Sequence, residues 1–455
     1  MVKDPIFFIG IDIGTSSVCG VLYDLVNQAF KSVTKENDAN IEASYDFEKT
    51  QDPGRILEIV NEIISELSDQ HIIKGIGFTD QMHGILYLDN NGDAISPLYT
   101  WQDARGNNRY RNNKSYSEYL TDETGYQLST GYGMVTHYYN LENNLVPVGA
   151  VKVCTVMDYA VMNLCKRLSP VTDYSNAASL GFFDKQNLCF DLSSLKQAGI
   201  DTTILPEVSP SATLAGYYKG TVPVYSATGD NQASILGSVK DIRKSIQITV
   251  GTGSQISVYT DKFTEIKDLE VRPFPGGGYI LAGAALCGGK SFDILKTFFE
   301  KTLDFFGASS TEKVDFYKKM TMAEYGGMDL PVVETLFEGT RIYPALRGRI
   351  TNISGSNLTP ENLIVAFLNG ISTELHDFYE LIPESVKENK DIVVCSGNAV
   401  RKNILLRKSI EEKFKCPVFI PQHQEEAAFG ACICAIAGGG FIKSLFDTGE
   451  MIQYI

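Results

Sequence analysis

Asp12-Ile13-Gly14-Thr15-Ser16-Ser17 sets a carboxylate, a glycine and three hydroxyls in six consecutive residues. Glycine lets the backbone turn sharply and approach a ligand closely, and the N–H groups and small hydroxyls of such a turn can cradle a phosphate. Asp12, at the end of the preceding strand, suits Mg²⁺ held through water, because that ion prefers oxygen ligands and keeps several waters. Taken alone, the run reads first as a plain hairpin turn. Gly251-Thr252-Gly253-Ser254 supplies a second turn of the same kind. Two such turns, one opening each half of the chain, could grip a nucleotide's phosphates from both sides. Gly14, Thr15 and Ser16 would serve on one side, and Gly251, Thr252, Gly253 and Ser254 on the other. Neither is a P-loop, since GxxxxGK[ST] does not occur in the chain.

Gly229-Asp230-Asn231-Gln232-Ala233 follows an apolar run at 222–227. A carboxylate there, at the start of a helix, can orient an acceptor hydroxyl and take its proton during phosphoryl transfer. Asp230 is equally well placed to be a helix N-cap. Asp80-Gln81-Met82-His83-Gly84 and Trp101-Gln102-Asp103-Ala104-Arg105 together offer the dense polar groups that a polyol needs, and Trp101, the only tryptophan, offers a flat face. Each has a plainer alternative: His83 as a satisfied core histidine, Arg105 as a surface salt-bridge partner. Ser396-Gly397-Asn398-Ala399 and Glu425-Glu426-Ala427-Ala428-Phe429-Gly430-Ala431 are small-residue runs that could open a slot for a flat base. The second serves equally as a helix start packed on a sheet.

Strands and helices must carry these runs. The apolar stretches 6–11 and 18–23 flank the first turn and predict a buried hairpin. Residues 55–67 have helical periodicity, 72–78 read as a strand, and 99–113 as a loop. Residues 151–164 read as a strand running into a helix. Near 246 the opening pattern returns: strand 246–250, turn, strand 255–259. A strand at 279–282, helices from about 291 and at 363–379, a strand at 392–395, a helix at 403–413 and a terminal helix from about 425 complete an α/β chain. The polar stretch 238–245 predicts a division into 1–240 and 241–455.

The bulk numbers narrow the partners. At 455 residues the chain is too long for one compact core. A net charge of −15 repels nucleic acid and anionic membrane. It leaves room for ATP, whose phosphates Mg²⁺ and backbone dipoles can hold locally. No run of about 18 apolar residues predicts a membrane span, and Met1-Val2-Lys3-Asp4-Pro5 enters a strand with no basic, apolar leader. Nine cysteines contain no CxxC pair, and Cys432 and Cys434 are spaced poorly for zinc. Small buried thiols in a reducing cytoplasm are the expectation.

The ordered set DxGTSS, QMHG, WQDxR, GDNQA, GTGS, SGNAxRKN and EEAAFGA resembles the FGGY carbohydrate kinases along nearly the whole chain. The resemblance implies two ribonuclease-H-like lobes of the actin-like ATPase superfamily with a central cleft. The first lobe would bind sugar and carry the catalytic aspartate, and the second would bind nucleotide. It implies Asp230 as catalytic base, Asp12 as the metal-associated acid, and 251–254 as the second phosphate loop. Gln81, Met82 and His83 would contact the sugar, joined by Trp101, Asp103, Arg105 and Asn231. Gly397 and Asn398 would lie on the adenosine side. Thr100-Trp101-Gln102-Asp103, the run 158–165 and Asp173-Tyr174-Ser175-Asn176-Ala177-Ala178-Ser179 look more like sedoheptulokinases than xylulokinases. The implied reaction is γ-phosphate transfer from MgATP to a terminal primary hydroxyl of a ketose, sedoheptulose first. A xylulose or other pentulose kinase is the alternative substrate class, and a non-enzymatic nucleotide switch the alternative from another class. A homodimer is one assembly that such a chain could form. Two departures stand out: Asp80 replaces the family's usual Gly, and 137–145 lacks the usual Lys.

Overall fold

β1 (Phe7–Ile13) grows from the first apolar run, and all of it but Phe7 and Asp12 is buried. It runs on through Ile13, so Asp12 is held inside the strand rather than in the turn after it. The computed structural model describes residues 4–307, 315–324, 329–340, 343 and 345–455. The first three residues of the expected leaderless start lie outside them. β2 (Ser17–Asp24) returns antiparallel with Val18 facing Ile13. β3 (Ala29–Glu36) adds an outer strand whose lysines and glutamate suit a sheet edge. α1 (Pro53–Ser68) starts at an Asp52 N-cap and buries Ile56, Ile59, Val60, Ile63, Ile64 and Leu67 along one face. β4 (Ile73–Asp80) lies parallel to β1.

A long excursion follows, with a core of its own that includes Ile85, Tyr87, Met134, Phe182 and Phe183. Along it stand α2 (Val156–Leu164) and the short α3 (Tyr174–Ser179). The chain then re-enters the sheet through β5 (Leu214–Tyr218), β6 (Val222–Tyr225) and β7 (Thr228–Gly229), and β7 leads directly into α4 (Asp230–Leu236). The sheet order is β5-β6-β4-β1-β2-β3, with β7 also paired to β4.

The second half repeats the plan. β8 (Ser245–Val250) and β9 (Ser254–Thr260) form a hairpin, and β10 (Tyr279–Ala285) lies antiparallel to β9. α5 (Gly289–Phe305) and α6 (Pro360–Glu380) precede β11 (Ile392–Ser396), which runs parallel to β8. α7 (Asn398–Lys402) and α8 (Ile404–Phe414) lead to β12 (Val418–Phe419), parallel to β11. The order is β10-β9-β8-β11-β12, with Glu270–Pro273 outside β10. Each sheet therefore has a central hairpin, a third antiparallel strand on one side and parallel strands on the other. This is the α/β class expected, built twice.

The chain passes from the first unit to the second after Lys240, dips back for Arg272–Gly278, and returns at Glu425. The terminal segment that a division into 1–240 and 241–455 gives to the second half thus packs in the first, as Glu425–Ile452. Its helix, α9 (Glu426–Gly438), is apolar and small on all sides and is buried accordingly. It presses so closely on β1 that a Cβ at Gly10 would lie 1.9 Å from the Ala428 carbonyl oxygen. EEAAFGA is therefore a helix start packed on a sheet, the plainer of its two readings. All nine cysteines are free, six of them buried. No helix among the described residues is long and apolar enough to cross a membrane.

Candidate active site

In the first unit the carboxyl ends of three parallel strands stand level. Asp12 of β1 pairs with Thr79 of β4, and Asp80 of β4 pairs with Gly229 of β7. Ligands in open α/β sheets gather at such ends. The turn after β1 is braced from below by Asn37, whose side chain donates to the Gly14 carbonyl at 2.9 Å. The Thr15 hydroxyl donates to Gln81 Oε1 at 2.9 Å and accepts from Trp101 Nε1 at 3.0 Å. Gln81 Nε2 donates to Gln51 Oε1 at 2.7 Å, and Gln51 Nε2 returns to the Thr15 carbonyl at 2.8 Å. Thr15, Gln81 and Trp101, expected to serve phosphate and sugar separately, are thus joined in one hydrogen-bonded wall. Gly14 is partly buried and Ser16 is exposed.

The loop after β4 is tightly held. His83 adopts a φ of 78°, a left-handed conformation rare for a residue with a side chain. Its amide donates to Ser179 Oγ at 3.1 Å, its Nδ1 lies 2.7 Å from the Ser179 carbonyl, and its ring stacks on Tyr132 at 4.7 Å. A carbonyl can only accept, so Nδ1 carries a proton. Met82 packs against Gly229, where an added Cβ would lie 2.6 Å from Met82 Cε. That contact brings the expected sugar loop to the residue before Asp230. Asp80 is buried beneath it: one oxygen accepts from the Met157 amide at 2.9 Å and the other has no partner. Burial first, then the charges of Asp158, Asp230 and Asp12, hold its carboxyl well above the usual range.

The expectation that Asp103 and Arg105 offer groups to a sugar needs correction. Arg105 Nε and Nη2 donate to the two Asp103 carboxylate oxygens at 2.7 and 3.0 Å, and Nη1 donates to Asn140 Oδ1 at 2.5 Å. Its guanidinium lies 4.2 Å from the Tyr99 ring centroid. Asp103 is 0% and Arg105 3% exposed, so the pair is neither a sugar fork nor a surface salt bridge. The stretch 137–145, which lacks the expected Lys, begins in the helix Gly133–Glu142, where His137 Nδ1 lies 2.9 Å from the Tyr87 hydroxyl.

Asp230 is the first residue of α4, with Gly229 rather than itself at the N-cap. Its Oδ1 accepts from the Asn231 amide at 2.5 Å. Burial raises its pKa, while the Arg272 guanidinium and the Asn231 amide pull it back. Asp12 is pushed up to about 8 by burial first, then by the negative charges of Asp230 and Glu425. Glu425, absent from the expected set, comes from the segment that returns to this unit. Among the described residues no three His, Cys, Asp or Glu side chains form a metal cage. Crowded carboxylates without a cage fit a hard divalent cation that keeps its waters and takes phosphate oxygens as its other ligands. Asn231 Oδ1, close to Asp230 in sequence, is a buried oxygen without a partner.

In the second unit, β8 and β11 are parallel, and Thr249 faces Ser396 across them. Their carboxyl ends bear the turns 251–254 and 397–398 side by side. Gly251 N–H donates to the Gly253 carbonyl at 3.0 Å, and Gly289 and Lys290 amides donate to the carbonyls of Gly251 and Thr252 at 2.9 and 3.0 Å. The start of α5 is thereby tied to the turn. Gly397 has a φ of 90° and leaves no room for a side chain, since a Cβ would lie 2.5 Å from the Val250 carbonyl. Thr252 and Asn398 are exposed, and Ser254 Oγ is buried without a partner. An orphan hydroxyl beneath a glycine turn fits a phosphate-binding role.

The family model described as the FGGY family of carbohydrate kinases, N-terminal domain, matches residues 7–237, half of the chain. The chain belongs to the FGGY family of carbohydrate kinases. It is an ATP-dependent carbohydrate kinase, and that membership removes the non-enzymatic nucleotide-switch alternative. Among its relatives is a sedoheptulokinase of Mus musculus, 27% identical over 93% of this chain and 96% of that protein. A xylulose kinase of Lactococcus lactis subsp. lactis is 25% identical over 96% of this chain and 89% of its own length. The crystal structure of a gluconate kinase from Lactobacillus acidophilus superposes with a TM-score of 0.83 at 19% identity, covering 99% of this chain and 93% of that one. The fold is therefore that of the two-lobed, actin-like sugar kinases.

Sequence reasoning missed Asn37, Gln51, Tyr132, Ser179 and Glu425. Ser179 and Glu425 lay inside quoted runs, but nothing in those runs says what they touch. Asn37 and Gln51 sit in stretches with no pattern that marks them.

Proposed function

We propose that this kinase transfers the γ-phosphate of ATP to a terminal primary hydroxyl of a ketose, with sedoheptulose as acceptor and sedoheptulose 7-phosphate as product. The observation that carries the reading is the packing of Met82 on Gly229. It sets the sugar loop against the residue that leads into Asp230, the acid that opens α4 at these strand ends. Asp230 accepts the hydroxyl proton, and the burial that raises its pKa makes it a stronger base than an exposed carboxylate. Met82, His83, Trp101 and Asn231 contact the sugar, and Gln81 holds Thr15 and the sugar wall together. The first turn offers backbone N–H groups at Gly14 and Thr15 and the Ser16 hydroxyl to phosphate. The second offers Gly251, Thr252, Gly253 and Ser254, with Gly397 and Asn398 on the adenosine side. ATP carries the phosphoryl group, and Asp12 would help hold a divalent cation that would neutralise the phosphate charge. The first unit, with its returned terminal segment, takes sugar and base, and the second takes nucleotide. A reducing cytoplasm suits the nine free thiols, and the charge of −15 speaks against nucleic-acid partners.

The sugar is supported by the likeness to the mouse protein and by the Thr100-Trp101-Gln102-Asp103 run. ADP release with MgATP against sedoheptulose, xylulose, ribulose, fructose and glycerol tests it. Selective turnover with sedoheptulose is expected. Selective turnover with xylulose or another ketose would keep the mechanism and replace the substrate. Turnover that ignores every sugar would contradict the reading.

A further inference from the structure

Ser175 and Asp173 belong to a run that no step above uses, yet both reach the peptide that delivers Asp230. The Gly229 amide donates to Ser175 Oγ at 2.9 Å, and that hydroxyl donates onward to Asp173 Oδ1 at 2.7 Å. The residue before, Thr228, donates its hydroxyl to Asp173 Oδ2 at 3.4 Å, and Ser211 donates to the same oxygen. Asp173, Ser175 and Thr228 are at most 1% exposed. The base of this structure is itself fixed. Asp173 Oδ1 caps α3 by accepting from the Asn176 amide at 2.8 Å. Asn176 Nδ2 donates to Asp158, Thr155 and Thr172 oxygens at 3.0, 2.9 and 3.1 Å.

We infer that Asp173 and Ser175 are positioning residues for Asp230, acting through the backbone of Thr228 and Gly229; this rests on Asp230 being the base. Gly229 has no side chain with which to fix itself. One face is closed by Met82, and its N–H is held by Ser175. A base must stand within a few tenths of an ångström of its working position, and a displacement of about 1 Å can cost about 10²-fold in rate. Removing the Ser175 hydroxyl leaves the Gly229 N–H buried without a partner, and the peptide shifts to find one.

The test is a double-mutant cycle on the full chain with Ser175→Ala, Asp230→Asn and the combination. Ser175→Ala is expected to lower kcat about 10- to 100-fold, with sugar and ATP KM changed less than about twofold. In the Asp230→Asn background the same substitution is expected to cost nothing further, because the group it positions is gone. Thr228→Val, which keeps the shape and loses the hydroxyl, repeats the cycle if Ser175→Ala does not fold. Wild-type kcat in Ser175→Ala, or the same loss in both backgrounds, would overturn the inference while leaving Asp230 as the base. Full turnover in Asp230→Asn would overturn both.

Discussion

Arg105 shows how a residue chosen for chemistry can turn out to hold the frame. Asp103, Asn140 and Tyr99 surround its guanidinium, and their convergence follows from how three separate segments fold. The WQDxR spacing made the charge visible but not its burial, so both the sugar-fork and the surface-pair readings missed. Breaking a buried pair leaves an uncompensated charge, so Arg105→Ala is expected to cost about 3–5 kcal/mol in urea unfolding. Sugar KM in the folded enzyme should hardly move. A stable variant with a raised KM would return Arg105 to the sugar. By contrast, the placement of Asp12, Gln81 and Met82 at strand ends was legible, because strand ends followed by polar runs are where a sheet presents side chains. That the Thr15 hydroxyl is spent on Gln81 and Trp101 could not be read, since it depends on side-chain directions.

At the scale of elements, both hairpins were legible because unbroken apolar runs flanked a glycine turn. β3 was not: Ala29–Glu36 alternates weakly and carries edge charges that disguise a strand. α2 and α3 were foreseen only as a strand-to-helix run and a subfamily signature, yet their junction holds a buried carboxyl with a measurable consequence. Asp158 accepts from Thr155 Oγ1 at 2.9 Å and Asn176 Nδ2 at 3.0 Å, and its second oxygen has no partner. Burial is the chief cause that lifts its pKa from 3.8 to about 8, despite the hydrogen bonds that pull it down. The folded chain thus binds this proton more tightly than the unfolded chain. The stability it contributes is whole below about pH 4 and is lost as pH rises toward about 8. The melting temperature of the wild type should fall relative to that of Asp158→Asn across that window. A constant difference would mean that Asp158 is ionised throughout.

For the whole molecule, the repeated sheet order explains why two similar turns open the two halves. It also explains why each turn sits at carboxyl strand ends. The return of α9 to the first unit could not be read, because a helix that is apolar all round has no face to say which core it fills. Family membership makes the chain a carbohydrate kinase, and the proposal adds Asp230 as its base. The most direct test is sugar-dependent ADP release by wild type and Asp230→Ala, with sugar affinity measured alongside. The account predicts a loss of about 10²–10⁴-fold in kcat with sugar binding nearly intact. Near-full turnover in Asp230→Ala would contradict it.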